Sequence, residues 1–118
     1  VMNYSEEEIE MAFEHFAAEA QRIVSEYMDT HFPTLPKEHI EVDDNGHVYW
    51  KLFKVSEPDH RGNTSRQIYA FVRKNDGAIF KAASYRAPYT KGKSAIRGYV
   101  TDEWASDLIT AHGVIYAR

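Results

Sequence analysis

The sequence predicts an α+β domain: one long N-terminal helix packed on an antiparallel β-sheet of four to five strands, then a short C-terminal helix and strand. Two observations carry this. Ile9, Ala12, Phe13, Phe16, Ala20, Ile23, Val24 and Tyr27 recur at helical spacing and draw one apolar stripe. The chain beyond them alternates with period two, interrupted by Asp44-Asn45-Gly46 and Asn75-Asp76-Gly77, residues that tolerate positive φ at turns. A single amphipathic helix must bury its stripe against something, and a run of hairpin-linked strands supplies the sheet face. At 118 residues the chain is long enough for one core, so residues 1–118 read as a single domain.

Tyr4-Ser5-Glu6-Glu7-Glu8-Ile9 is a helix start. Ser5 is placed to cap the free N–H groups, Glu8 to reach back to the Ser5 amide, and Tyr4 to staple against Ile9. The helix is expected to end near Asp29, ahead of the extended segment that Phe32-Pro33 and Leu35-Pro36 impose. Residues 39–55 read as a hairpin in which Val48, Trp50 and Leu52 alternate with Tyr49, Lys51 and Phe53. Residues 57–65 are a polar loop, residues 66–74 a strand, and residues 78–84 the strand that returns from it. Residues 85–94 hold Pro88 and Gly92 and read as a loop, with a short strand at 95–100. Thr101 or Asp102 is expected to cap a short helix through Leu108, with Trp104 and Leu108 on one face. A last strand is expected over residues 114–117. One helix cannot cover both faces of such a sheet. Tyr49, Phe53, Tyr69 and Phe71 are expected to line the bare face, and an apolar surface of that size predicts a homo-oligomer.

The apolar fraction of 43% is ordinary for a globular chain. No apolar run approaches the ~20 residues of a membrane span, and the acidic N-terminus does not resemble a signal peptide. Cysteine is absent, which excludes disulfides and thiolate metal sites and fits a cytoplasmic location. The net charge of −4 conceals an asymmetry: residues 1–44 hold twelve acids against Arg22 and Lys37. Residues 71–98 hold Arg73, Lys74, Lys81, Arg86, Lys91, Lys93 and Arg97 against Asp76 alone. Two oppositely charged elements suggest two different faces, or an acidic helix lying near a basic hairpin.

The basic stretch is the candidate functional surface. Aromatics (Phe71, Phe80, Tyr85, Tyr89) are interleaved with its cations, and Ala82, Ala83, Ser84 and Ala87 allow close approach to the backbone. That composition suits an anion bearing a flat ring. A nucleotide needs its phosphates neutralised, best by the planar fork of Arg, and its base stacked. The candidate ligand-binding residues are therefore Phe80, Lys81, Tyr85, Arg86, Lys93 and Arg97. Arg86 and Arg97 flank the loop. Lys81 extends from a strand, whereas Lys91 and Lys93 lie on the looser part and are expected to matter less. Phe80 reads equally as a core residue.

Other patterns carry less. Ala87-Pro88-Tyr89-Thr90-Lys91-Gly92-Lys93-Ser94 matches a loosened phosphate-loop pattern, but such a loop leads into a long helix, and Arg97-Gly98 follows too soon. Tyr69-Ala70-Phe71-Val72 matches the core of an RNA-recognition strand without its preceding basic residue and Gly. The six histidines show no paired metal-ligand spacing, and Ser84, Ser94 and Ser106 lack a nucleophile-elbow setting. No acid–base pair assembles, so no enzyme, metal or cofactor is predicted.

Lys81-Ala82-Ala83-Ser84-Tyr85-Arg86-Ala87-Pro88, followed by Arg97-Gly98, resembles a Lys-x-Ala-Ser-x-x-Ala-Pro…Arg-Gly block of small uncharacterised bacteriophage proteins. The ending Gly113-Val114-Ile115-Tyr116-Ala117-Arg118 is similar to theirs as well. In size, helix-plus-sheet layout and basic–aromatic loop the chain is also similar to phage anti-defence sponges such as the Thoeris inhibitors. That analogy implies a non-enzymatic protein sequestering a small anionic nucleotide, an immune signal, in the bacterial host cytoplasm. Two alternatives stand beside it. One is a nucleic-acid-binding accessory protein; the other is a protein-binding inhibitor that works through the acidic helix.

Overall fold

The computed structural model describes residues 3–93 and 95–115. Helix α1 (Glu6–His31) opens on the capping box read from the sequence. The Glu8 N–H donates to Ser5 Oγ at 3.2 Å, and the Ser5 N–H donates to the Glu8 carboxylate at 3.0 Å. The helix passes the expected end at Asp29 and stops at His31, where Pro33 closes the helical path. Five strands follow as an antiparallel meander in sequence order: β1 (Glu38–Asp43), β2 (Tyr49–Ser56), β3 (Arg66–Arg73), β4 (Ala78–Phe80) and β5 (Ile96–Tyr99). A 3₁₀ turn (Ala105–Leu108) then leads into a two-stranded sheet of β6 (Ile109–Thr110) and β7 (Gly113–Val114).

Helix α1 lies on one sheet face. Phe13, Phe16, Ala20 and Val24 pack with Leu52, Val72, Ile79 and Leu108, and Phe13 stacks on Trp50 with centroids 4.1 Å apart. The Gln21 side-chain oxygen accepts the Ile40 N–H at 2.7 Å, which satisfies a donor of the edge strand. In the β3–β4 turn Gly77 has φ +78°, and a Cβ there would stand 2.8 Å from Val100 Cγ2, so the position excludes a side chain twice over.

The opposite face departs from expectation. It is not bare: residues 81–93 and Ala95 lie across it, with Ala82 and Ala95 packed on Phe71, Ala78 and Phe80. Phe71 is 0% exposed and Phe53 2%. The Arg66 guanidinium lies 4.0 Å from the Phe53 ring centroid, and Tyr85 packs on the same ring at 5.2 Å. Tyr69 is not on this face at all. The β2–β3 register slips at Leu52/Phe53, so Tyr69 is the extra residue of a bulge and turns toward the α1 side. There its hydroxyl donates to the Thr110 carbonyl at 2.6 Å, and burial pushes its pKa well up. The aromatic surface that suggested a homo-oligomer is thus covered within the chain.

Smaller differences have equally local causes. Strand β4 ends at Phe80, not Ser84, because the chain reverses immediately afterwards. The expected short helix is a single 3₁₀ turn, and Asp102 instead accepts the Tyr99 N–H at 2.9 Å. Of the last strand, Tyr116 and Ala117 lie outside the described residues, as does Arg118.

Candidate functional site

Beyond β4, residues 81–89 form a small hairpin of their own. Ala82 bridges Pro88, the Tyr89 N–H donates to the Lys81 carbonyl at 2.8 Å, and the Ala83 and Ser84 N–H groups share the Ala87 carbonyl at 3.0 and 3.1 Å. The alanines permit this close pairing, and Pro88 fits because the bridge asks no donor of it. The Arg86 N–H donates to Ser84 Oγ at 3.3 Å, so the tip presents Tyr85 and Arg86 outward. The chain then runs through Gly92, at φ +83°, and the Ala95 N–H returns to the Gly92 carbonyl at 3.4 Å.

Between this hairpin and β5 lies an open groove of about 700 Å³. Lys81, Lys91 and Arg97 bring the cations, Tyr89 a ring, Ala82, Ala83 and Gly92 a floor without bulk, and Thr90 a hydroxyl. Among the described residues no carboxylate lines it. Arg97 enters by a bulge: Ile79 pairs with Gly98 and Phe80 with Ile96, leaving Arg97 as the extra residue of β5. Bulges re-aim side chains in this way. The next residue serves packing, since a Cβ on Gly98 would come within 2.9 Å of both Leu108 and Trp104. The Arg97-Gly98 pair therefore joins a groove cation to a close approach between β5 and the 3₁₀ turn.

Of the residues singled out from sequence, Lys81 and Arg97 meet in the groove. Arg97 is only 2% exposed, a buried cation and not a surface one. Phe80 is a core residue: it is 2% exposed, edge-on to Tyr49 at 5.8 Å, with the Arg73 guanidinium 5.3 Å from its ring. It offers no face to a base. Tyr85, Arg86 and Lys93 are exposed on the same segment but stand outside the groove lining. The groove's ring is Tyr89 and its third cation Lys91; the sequence marks Tyr89 only as one of the interleaved aromatics and predicts that Lys91 matters less.

The phosphate-loop match runs into strand β5, not a helix, and Ser94 lies outside the described residues. The strand aromatics Tyr69 and Phe71 are buried on opposite sides of the sheet, so neither is presented to a nucleic-acid base. Among the described residues no group of three or more His, Asp or Glu side chains is placed to hold a metal ion, and no helix is long and apolar enough to cross a membrane.

Fold and groove together define a two-layer α+β domain with a helix on one sheet face and a cation-lined groove beside the other. The chain belongs to a family of unknown function, DUF7717, whose model matches residues 1–113. No curated protein and no solved structure matches it.

Proposed function

We propose that the protein binds a small anionic nucleotide in the groove between the 81–89 hairpin and β5, and holds it without altering it. The observation that carries this reading is the lining: Lys81, Lys91 and Arg97, with no carboxylate among the described lining residues, next to Tyr89 and small residues. Arg97 is the cation beneath the groove: it is the bulged residue of β5 and 2% exposed, so its place is fixed whether or not an anion is bound. Lys81 is held at the root of the hairpin by the pairing of its carbonyl with Tyr89. Lys91 meets the anion as a point charge, and Tyr89 offers a ring that is 44% exposed. The groove is open on one side, where a second copy of the chain would complete it. A sponge role in a phage-infected bacterial cytoplasm follows from the sequence resemblance and rests on it alone.

A second reading has one observation in its favour. Arg86 and Lys93 extend the exposed positive charge beyond the groove, as a track along a nucleic-acid backbone requires. Calorimetry against cyclic di- and trinucleotides and cyclic ADP-ribose isomers, with a duplex titrated at two salt concentrations, separates the two. The nucleotide reading expects one member of the panel to bind below about 10 μM, a free energy near 7 kcal/mol. Binding of the duplex alone, with a steep salt slope, replaces it with the nucleic-acid reading.

A further inference from the structure

A second concavity, of about 610 Å³, lies at the C-terminal end of α1, against the roots of β1 and β2 and the 57–65 loop. Its chemistry is the reverse of the groove's. Three rings meet there at large angles: Phe32 stands 5.9 Å from Tyr27 with planes at 57°, and His112 stands 5.1 Å from Tyr27 at 78°. Phe32 and Leu35, both lining the cleft, are left 42% and 52% exposed. Glu38 and Glu57 are among the lining residues, and no Lys or Arg is among the described ones. The lysines on the adjoining elements are paired, and Arg61 of the 57–65 loop is not among the described lining residues. Lys37 pairs with Asp29 at 2.8 Å, and buried Lys54 donates to the Ala111 carbonyl at 3.1 Å while standing 3.8 Å from Glu38. The last turn of a 26-residue helix also ends here, and its free carbonyls add the negative end of the macrodipole.

We propose that this cleft binds a small alkylated ammonium ion. The faces of aromatic rings carry the negative end of a quadrupole; His31 is stacked on one face of Tyr27 at 4.4 Å, and the lining rings Phe32 and His112 stand at large angles to Tyr27 around the cleft. An alkylated ammonium has an apolar surface that suits the rings and Leu35, and a diffuse charge that needs no hydrogen-bond acceptor. The carboxylates and the helix end supply long-range attraction. A phosphate-bearing ligand meets the opposite field here, so this site and the basic groove select ligands of opposite sign.

The test is an NMR titration of the full chain with choline and with 3,3-dimethylbutan-1-ol, its neutral isostere. Choline is expected to saturate shifts at Tyr27, Phe32 and His112 and to bind about tenfold more tightly than the alcohol. Phe32→Ala, at an exposed position, is expected to weaken choline about fivefold with the amide spectrum otherwise intact. Glu57→Gln, also exposed, is expected to weaken choline and leave the alcohol unchanged. Equal binding of the two isosteres overturns the proposal, because the cleft is then merely apolar. So does the absence of saturable shifts up to about 20 mM choline, or shifts that survive Phe32→Ala undiminished.

Discussion

The two faces of the sheet are covered by different means. On one, a 26-residue helix lays down a continuous stripe, and Phe13, Phe16, Ala20 and Val24 interlock with Leu52, Val72 and Ile79. On the other, an irregular segment of mostly exposed residues lies over Phe71 and Phe80, with Tyr85 alone reaching across to Phe53. The first cover is bonded within itself and then packed. The second has a few backbone bonds and small side chains, so it holds itself in place weakly. The comparison teaches where a binding groove fits in so small a domain. Stability is concentrated on the helix side, which leaves the thin cover free to carry exposed cations and an open groove.

The largest effect is expected from the helix side. Phe16→Ala removes a buried ring from the main core and should cost about 3–5 kcal/mol, read as a fall in the urea midpoint. A loss below about 1 kcal/mol would erase the contrast between the faces.

Arg97→Ala tests the join between cover and groove. It should weaken nucleotide binding about tenfold or more, since losing one charged hydrogen-bond partner costs roughly 1.5–3 kcal/mol. Because Arg97 is buried, the same change should also lower the urea midpoint. Lys81→Ala, at an exposed groove position, should weaken binding with the midpoint unmoved, which separates the two roles.

Tyr85→Ala probes the tip of the thin cover. Tyr85 is 50% exposed and packs on the Phe53 ring, so the cost should be about 0.5–1.5 kcal/mol. Amide exchange should quicken across residues 81–89 while α1 stays protected. Uniform quickening would mean that both covers open together.

The smallest effect is a pH dependence at the β3–β4 turn, which borders both faces. Burial pushes the Asp76 carboxyl up, but Arg73 at 2.7 and 3.0 Å and the Ala78 N–H outweigh it and hold the group below its usual value. A folded-state value below the unfolded one contributes stability above about pH 4, and that contribution fades as pH falls through the folded value. The midpoint advantage of the native chain over Asp76→Asn should therefore be present at neutral pH and vanish in acid. A difference that is constant with pH would assign Asp76 to turn geometry alone.

What the sequence determined by itself was everything that periodicity and local chemistry encode. The Ser5–Glu8 capping box and the α1 stripe stand where the residues put them, and the first hairpin forms too, but through a longer link, residues 44–48, in which no residue takes positive φ and Val48 is left outside β2. The basic stretch was legible too, as a composition. Which of its members meet was not. Two bulges, at Leu52/Phe53 and Ile79/Phe80, each add one residue to a ladder and so reverse the facing that alternation implies. The first turns Tyr69 into the core, and the second points Arg97 into the groove. Phe80 went to the core because the reversal after it folded the basic loop back over the sheet. The cleft at the end of α1 gathers Tyr27, Glu38, Glu57 and His112 from four separate parts of the chain. No local spacing records that meeting, since it exists only once helix, strands and the C-terminal turn have packed.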